Sequence, residues 1–99
     1  MGHLRNHPRV ASGRPVEIDP GGAAIRGEAR DLSMAGCFVV AKSAPASEAI
    51  EIVFAEGGEQ IRCRGRIVRR SLEGVAVRFE RLDWADLFGL ARLVSPALG

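Results

Sequence analysis

Residues 61–79, IRCRGRIVRRSLEGVAVRF, alternate between apolar and charged side chains on both sides of a central turn. This two-residue period predicts strands that bury one face, because successive side chains of a strand point to opposite sides. Glu73 and Gly74 mark the turn between the strands. We expect the charged side to be a solvated outer face; the alternative is that it extends an anion site or meets an acidic partner. Its charge comes from an arginine stripe, Arg62, Arg64 and Arg66.

The same rhythm of short strand patterns and turns occupies most of the chain before this pair of strands. Residues 20–22 form one turn, residues 42–47 form a loop, and residues 56–59 form a hairpin turn. Turn signals at intervals of about eight to twelve residues are typical of an all-β barrel or sandwich. Six strands are predicted, at residues 15–19, 23–32, 37–40, 50–54, 61–67 and 75–79.

A helix is predicted after the last strand, at about residues 83–94. Asp83 can cap its first turn, and Asp86 lies near the positive end of the helix dipole. We expect the apolar stripe of this helix to close an open end of a barrel, and a dimer interface is the alternative. The predicted stripe consists of Trp84, Leu87, Phe88, Ala91 and Val94.

The composition is that of one soluble globular domain. The 99 residues are 46% hydrophobic and 26% charged, which allows a single modest core. No apolar run approaches the roughly 20 residues of a membrane helix, and the first residues lack the apolar segment of a secretory signal. We therefore expect a cytoplasmic protein without membrane insertion. A nucleic-acid partner is not expected, because the strand phenylalanines fall on apolar faces and the chain has no tyrosine.

Metal binding and catalysis are not expected either. Cys37 and Cys63 lie far apart in apolar segments, so we predict two buried thiols rather than zinc ligands or a disulfide. The sequence has no histidine beside a serine or cysteine in a nucleophile context, no carboxylate cluster and no phosphate-binding glycine loop. We predict no enzyme activity, no catalytic residue, no metal and no cofactor.

Two short motifs carry the functional information. The segment RNHPR places Arg5 and Arg9 in an R-x-x-x-R motif, and the segment DLSMAG places Asp31, Ser33 and Gly36 in a D-x-S-x-x-G motif. Guanidinium forks suit phosphate oxygens and the N7 and O6 edge of guanine. A carboxylate and a hydroxyl beside a glycine supply acceptors, a donor and close backbone approach. Together the motifs fit a ligand that carries both phosphates and guanines.

Each motif also has a structural interpretation. An arginine pair is common in basic tails, and D-x-S-x-x-G can be a turn between two strands, with Gly36 at a positive φ. Residues 1–14 contain three arginines and no acid, and Pro8 excludes an ordinary helix there. We predict a flexible basic arm at residues 1–14, followed by one domain at residues 15–99. The arm is either a solvated tail or a segment that becomes ordered around an anion.

The order and spacing of the two motifs resemble the PilZ domain, a bacterial receptor for the second messenger cyclic di-GMP. The segments GRIVR at residues 65–69 and GVAVRF at residues 74–79 resemble the family's last two strands. The resemblance thus covers nearly the whole chain. It implies a six-stranded antiparallel β-barrel with a C-terminal α-helix.

The resemblance implies cyclic di-GMP as the ligand and gives each motif residue a role. Arg5 and Arg9 are implied to hold guanine edges and phosphates. Asp31 and Ser33 are implied to contact guanine and neighbouring backbone, and Gly36 to permit close approach. The implied function is a receptor or adaptor whose arm becomes ordered on ligand binding and presents a surface to an unidentified downstream protein. The alternative is a degenerate PilZ-like interaction module that does not bind nucleotide.

Two positions depart from the family pattern. Leu4 stands before Arg5, where some members carry a basic residue and take up an intercalated pair of ligand molecules, so a single bound molecule is conceivable here. Ala76 stands where many members have glycine, and its methyl group either crowds the site or lies in the barrel wall. Neither departure removes a predicted contact residue.

Overall fold

Six strands and one helix make up the described part of the chain. The structure, a computed structural model, describes residues 9–56 and 58–94, without the side chain of Glu56. All six strands predicted from the sequence are present. In chain order the elements are β1 Val10–Asp19, β2 Ile25–Leu32, β3 Gly36–Val40, β4 Ala49–Glu56, β5 Glu59–Arg70, β6 Gly74–Phe79 and α1 Trp84–Val94.

The strands form one closed barrel in the order β1-β2-β3-β6-β5-β4. Every neighbouring pair is antiparallel. Four of these pairs join strands that are consecutive in the chain, whereas the β3–β6 and β1–β4 pairs join distant segments and close the sheet. The predicted six-stranded antiparallel β-barrel with a C-terminal helix is therefore confirmed.

The barrel interior is the hydrophobic core, built from alternate residues of the strands. On β5, Ile61, Cys63 and Ile67 are buried and the arginines between them are exposed, as the two-residue period predicts. The Cys37 and Cys63 thiols are free and buried, which confirms the prediction for both. Burial raises the pKa of Cys63 to about 12 and also raises the pKa of Cys37. Both thiols therefore stay protonated and unreactive at neutral pH.

The arginine stripe lies on the outer face of β5, where acidic side chains flank it. Arg62 donates to the Glu51 carboxylate at 2.9 Å. Arg66 lies 3.1 Å from Glu48 and 3.3 Å from Glu80. These side chains are roughly half exposed, so each ion pair contributes little to stability. The stripe is thus a solvated outer face, as expected, and its acidic neighbours offset its charge.

The first strand begins at Val10, ahead of the predicted start at residue 15. Ala11 pairs with Asp31 of β2, and a bulge follows in which Gly13 takes up a positive φ of 78°. The bulge breaks the alternation of side chains, which is why the sequence pattern shows the strand only from residue 15 onward. The end of the predicted arm is therefore paired in the barrel wall, while Arg5 lies outside the described residues.

The helix α1 packs against β5 and completes the core. The Asp83 carboxylate caps it by accepting the backbone N–H of Asp86 at 3.0 Å. Gly89 lies so close to the barrel that a Cβ there would stand 2.8 Å from the Ile61 side chain. The helix closes the barrel core, as predicted, but of the predicted stripe only Val94 is buried. Its core-facing side chains are Leu90, Leu93 and Val94.

Two members of the predicted helix stripe point to solvent instead. Trp84 is 73% exposed and Phe88 is 60% exposed, and their ring centroids lie 5.9 Å apart. The prediction for these two side chains is wrong, because the close contact of Gly89 with Ile61 fixes the rotation of the helix about its axis. The result is an aromatic pair on the outer side of α1.

Fluorescence of Trp84 tests this orientation, since Trp84 is the single tryptophan of the chain. We expect emission close to that of free tryptophan in water, and acrylamide quenching nearly as efficient in the folded protein as in the urea-unfolded one. A dilution series supplies the control. Blue-shifted, poorly quenched emission that reverts on dilution would contradict an exposed Trp84 and favour the dimer interface.

Candidate functional site

The pairing of β1 with β2 brings the two sequence motifs together. Arg9 directly precedes β1, and Ala11 pairs with Asp31 near the end of β2. The Arg9 Nη1 donates to the Asp31 Oδ1 at 2.5 Å. The Arg9 side chain is 60% exposed and the Asp31 side chain 29% exposed, so a ligand can reach both.

A bulge in β2 turns two consecutive charged side chains to the same outer face. Ala29 and Asp31 pair with consecutive residues of β3, so Arg30 is the additional residue of the bulge. Ala29 and Leu32 are both fully buried in the barrel core. Arg30 and Asp31, which lie between them, therefore both point outward. Bulges often re-aim side chains in this way beside functional sites.

Ser33 holds the turn that follows Asp31. It is 2% exposed. Its Oγ accepts the backbone N–H groups of Ala35 at 3.1 Å and Gly36 at 3.2 Å, and its hydroxyl donates to the Gly36 carbonyl at 3.3 Å. These bonds use the hydroxyl within the turn, which agrees with the implied contact of Ser33 to neighbouring backbone. Ser33 thus shapes the site by fixing the β2–β3 turn.

Glycine is required at position 36 because β3 and β6 approach each other closely there. A Cβ at this position would stand closer than 3.0 Å to the carbonyl oxygen of Val77 in β6. The glycines with positive φ in the described residues are Gly13, Gly21 and Gly58, so the expected positive φ at Gly36 is wrong. Glycine is needed here because the backbone of β3 lies close to the backbone of β6.

A row of outward side chains extends from Asp31 across the barrel wall. Asp31 pairs with Phe38, Phe38 with Ala76, and Ala76 with Arg69. The residues on either side of Ala76 in β6 are buried in the core, so Ala76 faces outward. Its methyl group therefore lies on the outer wall, two strands away from Asp31 and bordering the candidate site.

Sequence reasoning missed two residues at this site, Arg30 and Phe38. The Arg30 guanidinium lies 4.3 Å above the centroid of the Phe38 ring, and its Nη1 donates to Glu73 at 3.2 Å. The signal is present in the segment ARDL at residues 29–32, where two charged residues separate two apolar ones. This break in the two-residue period marks the bulge.

The outer face around Asp31 offers charge and hydrogen-bond recognition of an anion. Arg78 pairs with Gly36 at the turn, and Arg69 ends the row that starts at Asp31. Within residues 9–56 and 58–94 no group of three His, Cys, Asp or Glu side chains could hold a metal ion. In the same ranges no helix is long and apolar enough to cross a membrane. The outward arginines on this face are Arg9, Arg30, Arg69 and Arg78.

Comparison with known proteins identifies the family. The sequence model of the PilZ domain matches residues 3–95. The chain belongs to the PilZ domain family. No curated protein sequence matches it.

Solved PilZ domains share the fold. The PilZ domain of CeSA from a cellulose-synthesizing bacterium has a TM-score of 0.74 and 23% identity, over 93% of this chain and 99% of that chain. The Bacillus subtilis inhibitor of motility, MotI/DgrA, has a TM-score of 0.71 and 18% identity, over 95% of this chain and 50% of that chain. The PilZ domain of Escherichia coli YcgR, solved with c-di-GMP, has a TM-score of 0.70 and 15% identity, over 93% of this chain and 89% of that chain.

In this PilZ domain, four of the five predicted site residues fall within the described chain and lie close together. Arg9 contacts Asp31 directly, and Ser33 and Gly36 form the adjoining turn. Arg5 lies outside the described residues, so its place in the site stays a prediction. The contacts of all five with a ligand also stay predictions.

Proposed function

We propose that this PilZ domain binds cyclic di-GMP on the outer barrel face beside Asp31 and acts as a receptor or adaptor, not as an enzyme. The observation that carries the proposal is the contact between Arg9 and Asp31, which joins the two motifs at one exposed point. The structure of the YcgR PilZ domain with c-di-GMP adds support from a protein of the same fold.

The residues divide the recognition of the ligand between them. The Arg9 guanidinium donates to phosphate oxygens or to guanine N7 and O6. The Asp31 carboxylate accepts from the N1–H and exocyclic amine of guanine. Arg5 supplies a second guanidinium from the arm, while Ser33 and Gly36 fix the β2–β3 turn beside the ligand.

The output passes through another protein. We propose that ligand charge draws the part of the arm before Arg9 onto the barrel, and that the ordered arm forms a surface for an unidentified downstream partner in a bacterial cytoplasm. Ordering costs about 1–2 kcal/mol per residue, which charge-assisted contacts must exceed. A second candidate function is that of a protein-interaction module that does not bind nucleotide. The exposed aromatic pair of Trp84 and Phe88 favours it.

Calorimetric titration of cyclic di-GMP into the purified protein separates the two functions, with GMP as the control nucleotide and Arg5→Ala in parallel. Micromolar or tighter binding that is lost in the variant supports the receptor. Its stoichiometry shows whether Leu4 limits the site to one ligand molecule. Absence of both heat and thermal stabilisation would contradict the receptor and favour the interaction module.

A further inference from the structure

Phe38 is buried on the outside of the barrel. Its neighbours along β3, Cys37 and Val39, belong to the core, so the Phe38 ring points away from it. An outward side chain of a barrel wall is exposed unless something covers it, yet Phe38 is only 5% exposed. The Arg30 guanidinium, 4.3 Å from the ring centroid, contributes to that cover.

Arg30 is held over this ring, and about half of its side chain stays exposed to solvent. The bulge of β2 turns the Arg30 side chain to the outer wall. The Glu73 carboxylate accepts a hydrogen bond from the Arg30 Nη1 at 3.2 Å. The Arg30 side chain is still 52% exposed. A planar cation is thus fixed beside Asp31, its neighbour in the chain, on the same outer face.

We propose that Arg30, backed by Phe38, is a stacking platform for a guanine base of the ligand. Guanidinium planes stack on aromatic faces, and stacking of bases tolerates any purine. Asp31 beside the platform supplies the acceptor that reads the guanine edge. Arg30 therefore contributes affinity and Asp31 contributes selectivity. This inference rests on the proposed function, since it assigns a binding residue to the same site.

The shape of Arg30, and not only its charge, carries the proposal. A lysine at this position keeps the positive charge and can keep the ion pair with Glu73, but it has no plane on which a base can stack. An exposed ion pair such as Arg30–Glu73 contributes little by itself. Substitution by lysine thus separates stacking from charge.

The test is calorimetric titration of cyclic di-GMP into wild type, Arg30→Lys and Glu73→Gln, each at two salt concentrations. We expect Arg30→Lys to weaken binding about tenfold at both salt concentrations, because the loss of stacking is not screened. We expect Glu73→Gln to change affinity no more than about twofold, since the ion pair is exposed. The matched control is Arg64→Lys, an exposed arginine of β5, which should bind as wild type does.

The outcomes distinguish this inference from the proposed function. Wild-type affinity in Arg30→Lys overturns the platform and leaves the receptor intact. Equal weakening in Arg30→Lys and Arg64→Lys, or in Arg30→Lys and Glu73→Gln, overturns it as well, because charge or the ion pair then explains the loss. Failure of the wild-type protein to bind overturns the proposed function, and the platform with it. Unchanged thermal midpoints show that the variants are folded.

Discussion

Gly36→Ala should destabilise the fold by about 3 kcal/mol or more, because the added methyl group overlaps the main chain of β6. The Cβ would stand closer than 3.0 Å to the Val77 carbonyl oxygen, an atom that cannot turn aside as a side chain can. β3 and β6 would have to separate where Gly36 pairs with Arg78. For a domain of this size, such a loss lowers the thermal midpoint by roughly 12 °C or more.

Urea denaturation of Gly36→Ala measures the loss, and Gly22→Ala is its matched control. Gly22 lies in an exposed turn without a left-handed φ, and a Cβ there meets no atom within 4 Å. We expect Gly22→Ala to change the unfolding free energy by no more than about 0.5–1 kcal/mol, in the stabilising direction if at all. Equal stability of the two variants would contradict the steric role of Gly36.

This prediction bears on the meaning of the D-x-S-x-x-G motif. The Ser33 hydroxyl forms its hydrogen bonds within the turn, and glycine is required at position 36 by the packing of β3 against β6. Two of the three motif residues therefore have structural roles at the site. Asp31 is the member whose polar group is left on the outer face. Loss of ligand binding in Gly36→Ala would therefore follow from damage to the barrel wall.

The period of the strands made most of the fold predictable. Alternation such as that of Ile61, Cys63 and Ile67 against arginines depends only on which face is buried. The six strands, and the inner faces of β1, β4, β5 and β6, therefore follow from the sequence. The helix was placed correctly from its cap at Asp83, whereas its apolar spacing indicated the wrong face. The rotation of the helix about its axis could not be predicted, because it depends on the contact of Gly89 with Ile61, and these residues are far apart in sequence.

The candidate site was only partly predictable, because bulges shape it. One bulge, near Gly13, interrupts the alternation of side chains at the start of β1, so the sequence pattern does not show this part of the strand. Another bulge turns Arg30 to the same outer face as Asp31. A bulge shifts the face of every later side chain, and its position is set by pairing with the neighbouring strand. The motifs therefore predicted Arg9 and Asp31, while Arg30 and Phe38 emerged only from the register.

In the proposed complex, the ligand competes with the protein itself at the Arg9–Asp31 pair. In the structure each group already has the other as a partner, at 2.5 Å. An exposed ion pair contributes only about 0–1 kcal/mol, whereas a hydrogen bond to a charged group contributes roughly 1.5–3 kcal/mol. A ligand that offers phosphate to Arg9 and a guanine edge to Asp31 therefore replaces one weak contact with two stronger ones.

Arg9→Ala should accordingly weaken cyclic di-GMP binding at least about tenfold while leaving the unfolding free energy within about 1 kcal/mol of wild type. The binding loss reflects a charged hydrogen bond to the ligand, and the small stability change reflects an exposed ion pair. Titration calorimetry and urea denaturation of the same variant measure the two quantities.

Arg62→Ala is the matched control, because Arg62 is also an exposed arginine in an ion pair, with Glu51 at 2.9 Å, but lies on the β5 stripe away from Asp31. It should bind the ligand as wild type does. If charge anywhere on the barrel were sufficient, both variants would weaken binding alike. Undiminished affinity in Arg9→Ala would show instead that Arg9 takes no part in recognition, and its contact with Asp31 would then serve only to hold the start of β1 on the barrel.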